Sequence, residues 1–359
     1  MTSHLFSTIR DRNPDLARPF IETPDGRKMS YGELFEGAGR FANALRSLGV
    51  EVGDRVAVQV EKSPEVILLL LGCARAGAIF LPLNTAYTLA ELEYFIGDAE
   101  PALFVCDGSK QDGIKAIGDK LGVKAVETLN AGGVGSLTDL AGKQSPDFED
   151  ATRGPDDLAA ILYTSGTTGR SKGAMQSHGN LASNALTLVD YWRFTRDDVL
   201  LHALPTFHTH GLFTATNTIL MSGASMIFAP KFDADEMLRL MPRATAMMGV
   251  PTFYVRLLQH PGLTREATSH MRLFVSGSAP LLAETHRAFS ERTGQAILER
   301  YGMTETNMNT SNPSDGERVP GTVGFPLPGV DLRVVDPETG AAIATDEIGM
   351  IEVRGPNVF

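Results

Sequence analysis

The sequence predicts an α/β protein with two αβ sub-domains, residues 1–155 and 156–320, and a smaller β sub-domain over residues 321–359. Three observations carry this. Strand-like and helix-like runs alternate from residue 30 to 106 and again from 159 to 276, the pattern of parallel sheets with crossover helices. Between them, Gly108 to Pro155 is rich in Gly, Lys and Asp and weakly periodic, and reads as a surface excursion joining two units. From Gly321 the alternation gives way to short β-like pieces separated by Pro and Gly. At 359 residues the chain also exceeds what one hydrophobic core usually fills.

Taken in order, Ser30-Tyr-Gly-Glu33 has the form of a capping box. It opens a run with Leu34, Ala38, Phe41, Leu45 and Leu48 at spacings of four and three, which predicts an amphipathic helix. Gly53-Asp54 then turns the chain into a strand over Arg55–Val60, followed by a buried helix over Pro64–Ala76 and an apolar strand over Ala78–Pro82. A helix over Thr88–Gly97 and a strand over Ala102–Cys106 continue the pattern. After the excursion come a strand over Ala159–Tyr163, a glycine-rich loop, a helix over Asn180–Tyr191, and strands at Met226–Phe228, Ala246–Val250 and Leu273–Ser276. A helix is expected from Pro280, since proline suits the first helical position. Val330–Val335 and Gly349–Arg354 read as strands of a small antiparallel sheet or barrel.

Composition narrows the function. Hydrophobic residues are 43% and charged residues 21%, a globular composition. The net charge of -11, with no Lys/Arg block, excludes a nucleic-acid backbone as partner. An anionic ligand must then be held by local donors in Gly/Ser/Thr loops and by single cations. Cys73 and Cys106 imply no disulfide framework, the apolar run Val66–Ala74 is too short to cross a bilayer, and charge at Arg10 and Arg12 precludes a signal core. The expectation is a cytoplasmic enzyme without a membrane span.

The strongest chemistry sits in Tyr163-Thr-Ser-Gly-Thr-Thr-Gly-Arg-Ser-Lys172-Gly173. Thr164, Ser165, Thr167, Thr168 and Ser171 offer hydroxyls. Gly166, Gly169 and Gly173 let backbone N–H groups turn toward an anion, and Lys172 adds a mobile charge. A triphosphate or departing pyrophosphate fits such a loop. It is not a Walker A loop, because Ser171 directly precedes Lys172. Two lookalikes carry less. Gly37-Ala-Gly39-Arg-Phe-Ala42 imitates a dinucleotide fingerprint but falls inside the helix capped by Ser30. His202, His208 and His210 lack a Cys or carboxylate at ligand spacing.

The full string resembles the phosphate loop of the adenylate-forming superfamily, which includes acyl-CoA synthetases, luciferases and the adenylation domains of peptide synthetases. Arg170 departs from the Pro or Leu common there. Leu204-Pro-Thr-Phe-His208-Thr-His-Gly211, Gly249-Val-Pro-Thr252, Val275-Ser-Gly277-Ser-Ala-Pro280, Tyr301-Gly-Met-Thr-Glu305 and Gly321-Thr-Val-Gly-Phe-Pro resemble the remaining core motifs in family order. The resemblance implies Gly277, Ser278, Ala279, Glu299, Arg300, Tyr301 and Gly302 around the nucleotide, Thr304 at the α-phosphate, and Thr164 and Glu305 on Mg²⁺. It implies ATP, Mg²⁺ and coenzyme A as cofactors, with Lys172, His208, Thr304 and Glu305 in catalysis. A metal and a hydroxyl at the α-phosphate make sense where one anion must attack another.

Pro-Thr-Phe-His-Thr-His-Gly, the helix carrying Arg287 and Tyr-Gly-Met-Thr-Glu-Thr-Asn together look like malonyl-CoA and methylmalonyl-CoA synthetases. A second substrate carboxylate needs a buried cation, and the resemblance assigns Arg287, with His208, Ser278 and Met303, to the acid. On position alone Arg287 sits beside His286 and Glu284 on an exposed helix face. A monocarboxylate ligase, an amino-acid adenylating domain, and an ATP-binding module without turnover are the competing readings. Family members continue past Arg354-Gly-Pro-Asn-Val-Phe359 into a ribose-binding Asp, a hinge and a small C-terminal domain with a further Lys. The resemblance therefore implies that this 359-residue stretch folds but is nearly inactive alone.

Overall fold

The computed structural model describes residues 3–164 and 170–359. Its N-terminal part runs α1 (His4–Arg12), β1 (Pro19–Glu22), β2 (Lys28–Ser30), α2 (Tyr31–Ser47), β3 (Arg55–Gln59), α3 (Pro64–Ala76), β4 (Ile79–Pro82), α4 (Leu89–Ala99) and β5 (Leu103–Cys106). The Ser30 cap forms as the sequence implied: Ser30 Oγ accepts from the Glu33 N–H at 3.2 Å, and the Glu33 carboxylate accepts from the Ser30 N–H at 2.7 Å. Every residue of α3 is buried. Within α2, a Cβ at Gly39 would lie 1.8 Å from the Pro146 carbonyl oxygen, so this glycine serves packing and not a dinucleotide.

The stretch after Gly108 is not a surface excursion. It forms α5 (Gln111–Leu121), β6 (Ala125–Thr128) and α6 (Ser136–Gly142), and β6 pairs in parallel with β5. Ile114, Ile117 and Gly118 give α5 its buried face. The signal was thin because β6 is an edge strand with mostly half-buried residues.

Then follow β7 (Leu158–Tyr163), β8 (Gly173–Ser177), α7 (His178–Tyr191), β9 (Val199–His202), a π-helical turn (His210–Ala215), α8 (Thr216–Ser222), β10 (Ser225–Phe228), α9 (Ala234–Leu240), β11 (Ala246–Gly249), α10 (Pro251–Gln259) and β12 (Leu273–Ser276). Next come α11 (Ala283–Thr293), β13 (Ile297–Met303), β14 (Asn307–Ser311), β15 (Phe325–Pro326), β16 (Asp331–Val335) and β17 (Met350–Arg354). The helix expected from Pro280 starts at Ala283 instead. Ser278 has a φ of 70°, a left-handed conformation that ends β12 in a bend before a helix can begin.

Six strands form one sheet in the order β6-β5-β3-β4-β7-β8, parallel except for the β7–β8 pair. Nine form a second, β15-β14-β13-β12-β11-β9-β10-β1-β2, parallel from β13 to β1. β16 and β17 make a separate antiparallel pair. Sheet membership does not follow the boundaries at 155 and 320: β1 and β2 join the second sheet, and β7 and β8 join the first.

Alternating side chains sort into layers, as the period of two in a strand requires. Val56 and Val58 of β3 and Leu200 of β9 enter a central core with α1, α2, α3, α7 and α8. Ala57 of β3 faces α4 and α5, while Leu201 of β9 faces α9, α10 and α11. The result is five layers, α, β, α, β, α. No helix among the described residues is long and apolar enough to cross a membrane.

Candidate active site

The carboxyl ends of the parallel strands converge on one cavity of about 560 Å³. Thr164 follows β7, His208 to Gly211 follow β9, Val250 follows β11, Ser278 follows β12, Arg300, Gly302 and Met303 end β13, and Thr304 and Glu305 follow it. Ligands of open α/β sheets bind at such ends. Of the residues singled out in the sequence, Thr164, His208, Ser278, Arg300, Gly302, Met303, Thr304 and Glu305 line this cavity.

Ser165, Gly166, Thr167, Thr168 and Gly169 lie outside the described residues. The shoulders of their loop are described: the Thr164 N–H donates to the Lys172 carbonyl oxygen at 2.9 Å. The Tyr94 hydroxyl of α4 donates to the Ser171 carbonyl oxygen at 2.8 Å, and the Arg170 guanidinium stands 5.6 Å from the Tyr94 ring centroid. Lys172 is exposed and does not line the cavity.

Three further residues stand apart from the cavity wall. Glu299 is buried, and its Oε1 accepts from His286 Nδ1 at 2.9 Å and from the Gly321 N–H at 3.0 Å, so it ties α11 to the loop after β14. Tyr301 is half-buried and contacts the Met303 sulfur. Ala279 is exposed beside Ser278.

Arg287 requires a correction. It is exposed on α11 and does not line the cavity. The inward face of α11 is His286, Phe289 and Thr293, spaced i, i+3, i+7, and the residue after His286 is turned about 100° away. The buried cation of the cavity is Arg300, which is 4% exposed. Its Nε and Nη2 have no hydrogen-bond partner among the described residues, and burial pulls the guanidinium down to about 9. Two unpaired donors on a buried guanidinium make a receptor for a planar anion.

His210, set aside in the sequence as part of a metal lookalike, stands next to it. It is 4% exposed, its Nδ1 lies 3.1 Å from Ser278 Oγ, and its Nε2 has no partner among the described residues. Burial, followed by the charge of Arg300, holds His210 well below the usual histidine range. His208 opens onto the cavity, and desolvation lowers its pKa too. Neutral imidazoles beside the guanidinium avoid like-charge crowding.

A residue that sequence reasoning missed holds the Thr304–Glu305 turn. Gln176 of β8 is fully buried; its Nε2 donates to the Thr304 carbonyl oxygen at 2.8 Å, and its Oε1 accepts from Asn307 Nδ2 at 2.9 Å. Asn307 itself has a φ of 53°, and the β13–β14 register shifts between Tyr301 and Gly302. The strand that leaves the phosphate loop thus fixes the turn carrying the expected metal carboxylate. Only the bare polar residue inside a strand pattern hinted at this.

The model of the family described as AMP-binding enzyme matches residues 10–359. The mitochondrial malonate–CoA ligase of Mus musculus is 33% identical over 369 residues, covering 92% of this chain and 63% of that protein. The malonate–CoA ligase of Arabidopsis thaliana is 32% identical over 93% of this chain and 60% of its own length. Among solved structures, ATP-bound MatB from Rhodopseudomonas palustris is 65% identical with a TM-score of 0.98, over 100% of this chain and 71% of that one. A benzoate CoA ligase from Burkholderia xenovorans LB400 is 26% identical with a TM-score of 0.89, over 100% of this chain and 72% of that one. The chain therefore spans about 60 to 63% of the length of these two malonate–CoA ligases. With its motifs gathered at the strand ends and a family match over nearly its whole length, the chain belongs to the AMP-binding enzyme family.

Proposed function

We propose that this chain carries the nucleotide- and acid-binding part of an enzyme that joins malonate or methylmalonate to coenzyme A, using ATP and passing through an acyl-adenylate. The observation that carries the dicarboxylate is Arg300, a buried guanidinium that lines the same cavity as Thr304 and Glu305 and whose Nε and Nη2 have no hydrogen-bond partner among the described residues. A monocarboxylate would leave that charge without a counterion, which costs several kcal/mol, of order 3. The identities to malonate–CoA ligases and to MatB favour the same reading.

In the first half-reaction one substrate carboxylate attacks the α-phosphorus of ATP, forming an O–P bond as the bond to pyrophosphate breaks. Thr304 donates to the α-phosphate, and the loop from Thr164 to Lys172 receives the pyrophosphate. Glu305 and Thr164, which share the cavity, suit Mg²⁺, a cation usually held by one or two protein oxygens plus phosphates. The metal supplies charge neutralisation of the phosphates. Gly277, Ala279, Tyr301 and Gly302 flank the adenine, and Glu299 braces that wall from behind. The distal carboxylate pairs with Arg300, the role the family resemblance implied for Arg287, with Ser278 and His208 on either side and Met303 at the mouth. In the second half-reaction the thiol sulfur of coenzyme A attacks the acyl carbon, and AMP leaves as its C–O bond breaks. The two cysteines are buried free thiols, in keeping with a reducing, cytoplasmic setting.

Calorimetry with non-hydrolysable malonyl-, methylmalonyl- and acetyl-adenylate analogues tests this on the chain as it stands. The two dicarboxylate analogues should bind roughly 100-fold tighter than the acetyl analogue, and Arg300→Met should abolish that preference while leaving AMP affinity within about threefold. Equal affinity of the wild-type chain for all three analogues would overturn the assignment.

A further inference from the structure

Lys62 lies between β3 and α3, outside the active-site cavity, and none of the roles above uses it. It is 8% exposed. Its Nζ is 2.7 Å from His202 Nδ1 and 2.8 Å from the His202 carbonyl oxygen, and stands 4.1 Å from the Phe228 ring centroid. On the other side of the imidazole, His202 Nε2 is 2.9 Å from the carbonyl oxygen of Gly211, which lines the active-site cavity.

The direction of these bonds follows from the donor inventory. A carbonyl oxygen only accepts, so Nε2 must carry a proton. His202 is 1% exposed, and burial and then the Lys62 charge hold it well below the usual histidine range, so it carries a single ring proton. Nδ1 is therefore an acceptor, and Lys62 donates to it. Gly211 has no lateral slack, since a Cβ there would lie 2.0 Å from the Pro205 carbonyl oxygen. Thr216 Oγ1 shares the same carbonyl at 2.9 Å. A shift at His202 is thus passed to the wall formed by His208 to Gly211.

We propose that Lys62 is a positioning residue for the acid: by donating to His202 Nδ1 it fixes the Nε2–H tautomer, and so holds the Gly211 carbonyl and the His208–Gly211 wall in place. A buried amine is an expensive way to fill space, and an apolar side chain of similar volume would serve packing at least as well. This inference rests on the acid-binding reading of the cavity.

The test uses two independent readouts. Spectra of the chain labelled with ¹⁵N-histidine should show His202 protonated at Nε2 and bare at Nδ1, and a mixture of tautomers in Lys62→Met. In the same variant, affinity for the malonyl-adenylate analogue should fall about tenfold while AMP affinity changes less than about twofold. A second cavity, of about 320 Å³ and lined by Lys62, Ser63, Phe228 and Pro230, opens on the outer side of the lysine. It gives a route for ethylamine to restore the analogue affinity of Lys62→Ala, which a merely structural role would not allow. An Nδ1–H tautomer in the wild type, a folded Lys62→Met with unchanged analogue affinity, or equal losses for analogue and AMP would each overturn the proposal. If the wild type does not prefer the malonyl analogue, the functional reading fails, and the tautomer spectra still decide for or against Lys62.

Discussion

Gly277 and Arg300 share one volume. A Cβ at Gly277 would lie 2.3 Å from Arg300 Cζ and 2.5 Å from Nε and Nη1, so the guanidinium occupies the space that any other residue there would fill. Gly277→Ala should therefore displace the cation without altering the nucleotide hydroxyls. We expect roughly a tenfold loss of affinity for the malonyl-adenylate analogue, a smaller loss for AMP, whose adenine Gly277 flanks, and destabilisation of about 1 to 3 kcal/mol, measured by calorimetry and denaturant unfolding. At this scale the motif strings pointed to Thr304, Glu305 and Ser278, which the fold gathers at one cavity, because short segments around strand ends carry their own geometry. They did not separate Arg300 from Arg287. That choice depends on which side chain a distant backbone makes room for, and the spacing of His286, Phe289 and Thr293 was the one local sign that Arg287 faces outward.

The β13–β14 hairpin shows how elements divide the same labour. Its turn is fastened by Gln176 from the other sheet, so β8 and the turn that carries Glu305 are tied together. Gln176→Leu leaves the Asn307 amide without its acceptor and the Thr304 carbonyl without its donor. The expected cost is about 2 kcal/mol of stability, together with weaker MgATP binding, checked by urea midpoints and calorimetry. Elements with strong periodicity, such as α2 and α3, were legible to within a residue or two. The edge unit of α5, β6 and α6 was not, because half-buried strands need few apolar residues. The start of α11 was displaced by three residues because proline marks a permitted helix start without compelling one.

Across the whole molecule, burial of neutral histidines couples stability to pH. His178, whose Nδ1 accepts the Leu5 N–H, is pushed by burial from 6.5 to about 4. Below pH 6.5 the unfolded chain takes up a proton that the folded chain refuses, so stability present at neutral pH is lost as pH falls through about 4. The loss from this one group is about 2 to 3 kcal/mol by pH 4.5, and His202 and His210 act in the same direction. His178→Gln should flatten the wild-type decline in urea midpoint between pH 7 and 4.5.

The layered arrangement also sets an optical property. The chain has a single tryptophan, Trp192, fully buried at the end of α7, with its Nε1 donating to Ser311 Oγ of β14 at 2.9 Å. Its emission reports on one seam, where the central helical layer meets the nine-stranded sheet close behind the β13–β14 hairpin. Fluorescence will follow the opening of that seam, while the six-stranded sheet stays spectrally silent apart from its tyrosines. A difference between fluorescence and circular-dichroism unfolding curves would therefore reveal the two sheets coming apart in separate steps.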